Sequence, residues 1–362
     1  MKDSFGSAED TRRKLTWAVL FVFIAALSVY AVITASRSFS FEQLKNMIRN
    51  AHPLYVCLAV LCMIGFILFE GLSLRVLIKS FGHKCKLKDC IKYSAADTYF
   101  SAITPSATGG QPACAYFMID SGIPTSCTTV SLVFNLALYT VSIVIIGAIC
   151  IIVYPPIYFF FRPITRVLIV LGAVTLLLLT TTAILFILKR SFIHKAADIL
   201  IGIACRLRIL KDSLEWKDRL DKWTEEYMQY ADQIWLHKKD ITIALVFNIL
   251  QRTCQMAVSM FMYIAVTIGR PGLQMSTVFA NGAHLLGAQS LISIGATYIP
   301  IPGAMGFTDL MMLDGFSTLM PESEAAALEL LSRSISFYGC VIICFIIVVV
   351  AFVSRRDRDE EE

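Results

Sequence analysis

Three long runs without Asp, Glu, Lys or Arg constrain this chain more than any other feature. They extend from Ser121 to Phe161, from Pro271 to Thr308 and from Ser334 to Ser354. A helix needs roughly 20 apolar residues to cross the hydrocarbon core of a bilayer, and each run meets that length. The rest of the composition agrees. Hydrophobic residues make up 57% of the 362 positions and charged residues 16%, with a mean hydropathy of +0.68. A soluble domain of this size has too little polar surface to cover so much apolar side chain. A disordered chain, a disulfide-stapled secreted module and an ordinary soluble enzyme are therefore excluded. An all-α polytopic membrane protein remains.

Six stretches read as full spans, at about 15–35, 54–78, 127–153, 164–188, 240–268 and 326–353. The first follows Arg12, Arg13 and Lys14. Its apolar run is longer than a signal-peptide core, so it reads as a retained signal anchor. Two further segments, about 93–120 and 276–320, are apolar but broken by Pro and Gly. Each has a helix-like arm, a break and a second arm, and each arm is short for a span. Irregular backbone at membrane depth survives only where protein or a water-filled cavity covers it. Each segment is therefore expected to be a re-entrant helical hairpin.

The basic residues orient this layout. With 1–14, 79–92, 189–239 and 354–362 on the cytoplasmic side, the inner segments carry 23 Lys and Arg and the outer loops 5. That bias follows the positive-inside rule and puts both termini in the cytoplasm. The hairpins then enter from opposite faces, an inverted pair of the kind that places transporter sites near the midplane. Within residues 15–353, the segment 189–239 differs from the rest. Its apolar residues recur at helical spacing among eleven basic and eight acidic ones. It reads as amphipathic helix on the inner membrane surface or under the bundle.

The net charge of +5 is too small and dispersed to suggest nucleic acid as a direct partner. The eleven cysteines are odd in number and mostly lie in apolar runs. They include no C-x-x-C pair and no Cys/His cluster at zinc spacing. No metal or other cofactor is expected.

The most informative segment is Thr104-Pro105-Ser106-Ala107-Thr108-Gly109-Gly110-Gln111-Pro112-Ala113. Gly109 and Gly110 permit a tight bend, and Pro112 suits the first turn of a new helix. The unpaired N–H groups of that turn, with Thr104, Ser106, Thr108 and Gln111, suit a phosphate or carboxylate. The second hairpin repeats the logic through Pro302, Gly303 and Gly306, with Asp309 in the following arm. No Gly-Lys-Ser/Thr follows either break, so neither is a nucleotide-binding loop. Charges within apolar segments are costly and usually functional. Asp97, Arg252 and Arg333 are such residues, with Asn248 and Gln251 beside Arg252, and Asn281, His284 and Gln289 in the second hairpin. Arginine binds phosphate through two parallel hydrogen bonds. Arg252 or Arg333, with the Gly109–Gln111 turn, is the expected phosphate holder. Internal Asp97–Arg or Asp309–Arg pairs that pin helices are the structural alternative.

The run T-P-S-A-T-G-G-Q-P-A with Tyr116 behind it resembles the lysylphosphatidylglycerol synthase transmembrane family, the flippase-like membrane domain of multiple peptide resistance factors. The later P-I-P-G-A-M-G-F-T-D stretch and Arg333 with Ser334-Ile335-Ser336-Phe337-Tyr338 are similar to that family's second hairpin and last-helix motif. The resemblance covers nearly the whole chain. It implies a bacterial cell-membrane protein that binds and flips an anionic or aminoacylated phospholipid such as lysyl-phosphatidylglycerol. It also implies a link to resistance against cationic antimicrobial peptides. Its partners would be the phospholipid and the bilayer, with a homo-oligomer or a separate lipid-modifying transferase as protein partners. The alternatives are phosphatidylglycerol lysyltransferase activity in this chain, or a role as membrane partner of a separate transferase. The chain ends at Glu362, just after its last span. That spacing argues for translocation over transferase chemistry.

Overall fold

The structure is a computed structural model that describes residues 41–104, 107–189, 213–296 and 307–359. Among these, all regular structure is helical. The short α1 (Phe41–Asn50) precedes α2 (Pro53–Ser80). The pair α3 (Leu87–Ile103) and α4 (Gly110–Asp120) follows, then α5 (Thr125–Val153) and α6 (Pro163–Leu188), joined by a 3-10 turn over Pro155–Phe160. Next come α7 (Ser213–Ile234) and α8 (Lys238–Thr267), then the pair α9 (Met275–Ala296) and α10 (Phe307–Phe316). The last long helix is α11 (Glu322–Arg333), a π-helical turn over Ser334–Gly339, and α12 (Cys340–Asp359).

Five helices are long and apolar enough to cross a membrane: Pro53–Ser80, Thr125–Val153, Pro163–Leu188, Lys238–Thr267 and Glu322–Val353. They match the last five expected spans to within a few residues. The expected first span, 15–35, lies outside the described residues. Three spans start with Pro within or immediately before the first turn, at Pro53, Pro124 and Pro163. Proline is tolerated there because those N–H groups have no helical partner.

Both Pro/Gly segments are helix pairs. The α3 arm starts at Leu87, six residues before the apolar stretch, because Asp89 and Lys92 make its first turn polar and pair at 2.7 Å. The break of the second pair, 297–306, lies outside the described residues. The α3–α4 pair is connected to the end of α2 and the start of α5. The α9–α10 pair is connected to the end of α8 and the start of α11. These are opposite ends, since α2 and α8 run antiparallel, with the His52 N–H donating to the Ala265 carbonyl at 2.8 Å.

Small residues bring the backbones together, as membrane bundles require in place of a hydrophobic drive between helices. Gly172 of α6 lies directly against the Ile294 carbonyl of α9. Asp314 of α10 accepts the Arg162 backbone N–H at 2.8 Å and the Arg162 guanidinium at 3.3 Å. These contacts tie α10 to the entry of α6.

Within 189–239, the described helix is α7. Its buried residues Thr224, Tyr227, Ala231 and Ile234 recur every three or four positions. They seat on the ends of α2, α5 and α6. Ser126 donates to Glu226 at 2.9 Å, the Tyr227 hydroxyl donates to the Phe186 carbonyl at 3.4 Å, and Gln233 donates to the Ser80 carbonyl at 3.4 Å. Of the two expected placements, the helix takes the one under the bundle.

Candidate functional site

Arg252 stands at the middle of the 30-residue helix α8 and is buried. Its guanidinium lies 3.8 Å from the centroid of the Tyr139 ring and 5.1 Å from that of Phe66. Such stacking stabilises a desolvated cation by roughly 1–2 kcal/mol. Its Nη1 donates to Gln255 at 2.6 Å. Sequence spacing puts further polar residues on the same face of α8. Asn248 lies one turn before Arg252, and Gln255 and Ser259 lie one and two turns after it. Asn248 donates to Ser73 at 2.8 Å and Asn135 at 3.1 Å, while Ser259 donates to Gln289 at 3.3 Å. Asn281 donates to Tyr263 at 3.0 Å, one turn further on. A polar line thus runs along α8 from the α7 side of the bundle toward its opposite end.

Several buried polar atoms on that line have no hydrogen-bond partner among the described residues. They are the Asn248 carbonyl oxygen, both amide atoms of Gln251, and Nε of Arg252. Each such atom costs about 1–3 kcal/mol when left unsatisfied inside a protein. Buried groups are normally paired, so this concentration makes the middle of α8 a candidate site for a polar ligand.

The first hairpin supplies the opposite charge. Asp97 of α3 and Glu70 of α2 lie within hydrogen-bonding reach of each other, and both feel the Arg252 charge. Glu70 accepts from Ser94 at 2.9 Å and Thr98 at 3.4 Å. Asp97 accepts from Ser101 at 3.4 Å and from the Gln111 side chain at 3.1 Å. Gly110 allows this geometry, because a Cβ there would collide with Ser101 and with the Asp97 carboxylate. The acceptor that faces the start of α4 is thus the chain's own carboxylate.

The other expected site residues of the first hairpin divide by role. Thr104 closes the turn: its hydroxyl donates to the Phe100 carbonyl at 2.6 Å and accepts the Gly109 N–H at 2.9 Å. Ala107 holds a φ of 55°, a left-handed conformation that non-glycine residues adopt only when their surroundings impose it. Thr108 is exposed at the bend. Tyr116 is on the outer face of α4, its ring 6.3 Å from Phe352 and nearly parallel to it. Ser106, Pro302, Gly303 and Gly306 lie outside the described residues.

Asp309 and Arg333 form a second cluster. They pair directly, as the pinning alternative expected, and Arg333 also lies 5.2 Å over the Phe337 ring. A π-helical turn begins at Ser334, directly after Arg333, and such turns recur at functional sites. Glu329, one turn before Arg333, reaches Asp309. His284 packs edge-on against Tyr154 and Phe160 at 5.7 and 5.5 Å.

Sequence reading missed Glu70, Tyr139, Gln255 and Glu329. The carboxylates had a signal, since both fall inside expected spans like the arginines that were chosen. Tyr139 and Gln255 had none, because only packing turns an ordinary tyrosine into a shelf for a guanidinium.

A cleft of about 490 Å³ opens at the end of the bundle opposite α7. Asn46 and Asn50 of α1, Arg270 of the α8–α9 loop, and Glu324 of α11 border it. Arg270 and Glu324 bridge it at 2.6 Å.

Comparison with known proteins gives one family match. The family described as the lysylphosphatidylglycerol synthase TM region matches residues 17–344. No curated protein matches the chain.

Proposed function

Because the chain belongs to the lysylphosphatidylglycerol synthase transmembrane family, we propose that it binds and translocates an aminoacylated phospholipid such as lysyl-phosphatidylglycerol. The observation that carries this reading is the charge arrangement around Arg252. One guanidinium, stacked and only partly hydrogen-bonded, faces two carboxylates held by four side-chain donors. Arg252 suits a phosphate. Glu70 and Asp97 suit ammonium groups. The cluster has one more carboxylate than guanidinium. The lysyl headgroup has one more ammonium than phosphate, so binding neutralises both. A plain anionic lipid would leave a charge uncompensated at membrane depth, which is costly.

The polar line on α8 gives the headgroup a path, with the lipid tails remaining in the bilayer. The opposed hairpins act as the two gates, each re-entrant from its own face. In a bacterial cell membrane, moving this lipid outward would make the outer leaflet less anionic and weaken the attraction of cationic antimicrobial peptides.

Reconstitution in liposomes with a leaflet-selective assay tests the reading. Wild-type protein should speed the movement of lysyl-phosphatidylglycerol between leaflets, and Arg252→Gln should slow it at least tenfold with helix content unchanged. Equal rates with and without protein, across several lipids, would refute translocation. New lysyl-phosphatidylglycerol in cells that express this chain alone, measured by mass spectrometry, would favour transferase activity.

A further inference from the structure

The Asp309–Glu329–Arg333 cluster plays no part in the headgroup chemistry above, yet it repeats the composition of two carboxyls and one guanidinium. Its hydrogen bonding differs. In the first cluster four side-chain donors support both carboxylates. In the second, Arg333 is taken by Asp309. Glu329 is 7% exposed, and its Oε1 has no hydrogen-bond partner among the described residues. Glu329 instead meets the Asp309 carboxyl. Two carboxyl groups in contact, one of them buried, with one cation paired to Asp309 and too few donors for both, share the site stably only when one carries a proton.

Among the described residues, the other titratable and charged groups near Glu329 are engaged elsewhere or exposed, apart from Tyr338. Tyr338, from the π-helical turn, lies near all three members. On α10, Asp314 is engaged with Arg162. On α8, Arg252 belongs to the first cluster, and in the α8–α9 loop Arg270 is paired with Glu324. Lys45 and Arg49 of α1 are exposed to solvent.

We propose that the second cluster is a binding site for a single proton, held on Glu329, and that this proton fastens the second hairpin arm α10 to α11. With the proton bound, the Glu329 hydroxyl donates to Asp309, which keeps its ion pair with Arg333. When the proton leaves as a hydronium ion, two adjacent carboxylates compete for one guanidinium and repel each other. Asp309 is in the first turn of α10, so the repulsion acts at the start of that arm. Through the translocation reading above, this makes the proton the coupling ion that governs one gate. The proton site itself is testable without lipid movement.

The experiment is infrared difference spectroscopy of the purified full-length chain in detergent, between acidic and alkaline buffer. The wild-type protein should show a carboxylic-acid carbonyl band that titrates. Glu329→Gln should remove one carboxyl from that band. Asp309→Asn should remove it as well, because Glu329 then pairs with Arg333 and stays ionised, whereas Arg333→Gln should keep it. Identical difference spectra for wild type and Glu329→Gln would overturn the proposal. If Glu329→Gln does not fold, the other two variants decide: a band kept in Asp309→Asn and lost in Arg333→Gln would overturn it. The expected spectra from a protein that moves no lipid would uphold the proton site and sink the translocation reading.

Discussion

A single hydrogen atom at Gly110 decides whether the first hairpin can hold its carboxylate. The two arms meet there so closely that any Cβ would strike Ser101 and Asp97. Gly110→Ala should therefore cost about 1–3 kcal/mol through forced displacement. It should also push Asp97 away from the Gln111 amide. Thermal unfolding in detergent should show a lower midpoint than wild type. Lipid movement should fall more than that loss of stability explains. An unchanged midpoint would mean that the arms have room to part. Arg252 illustrates the same scale differently. Its type and place in an apolar stretch were legible from sequence, and its burial follows from the rule that a charge at membrane depth faces the interior. Its partners were not legible, because Glu70, Asp97 and Tyr139 belong to three other helices.

At the scale of elements, α7 is the helix whose role the sequence left between two placements. Its apolar spacing fits a membrane surface or a protein surface equally. Tertiary contacts decide, with Tyr227 and Ile234 seated on the ends of the bundle. Burial pushes the Tyr227 hydroxyl from its ordinary value of 10.0 up to about 12. A raised folded value favours the neutral form, so this contribution to stability is complete below pH 10. It is lost as pH rises from there to about 12. Thermal unfolding across that window should fall more steeply for wild type than for Tyr227→Phe. Parallel curves would mean that the tyrosine is solvated. The hairpins show the complementary case. Their Pro/Gly breaks foretold two helix pairs, but α9, at 22 residues, is longer than the short arm expected. The start of α3 at Leu87 was obscured because its first turn is polar and looked like loop.

At the scale of the whole molecule, the orientation argument rests on loop charge. Arg270 and the α8–α9 loop lie at one end of the bundle, and α7 with the basic 79–92 segment lies at the other. In a cysteine-free background, a cysteine at the exposed position Leu236 should react with an impermeant thiol reagent only in inside-out vesicles. A cysteine at Leu273 should react only in right-side-out ones. The reverse pattern would invert both hairpins and the direction assigned to each gate.

The sequence by itself determined the solvent of this protein, its all-helical class and five of its described spans. Those follow from local quantities: the length of an apolar run, the cost of a charge in hydrocarbon, and the breaks that Pro and Gly impose. It also singled out Asp97, Arg252, Asp309 and Arg333, because burial of charge is expensive wherever it occurs. Only the tertiary structure decided which of these meet. Asp97 joins Glu70 and Arg252, while Asp309 joins Glu329 and Arg333. Whether a carboxylate finds side-chain donors depends on how separate helices and turns pack against it. No local pattern records that, and the two clusters owe their different chemistry to it.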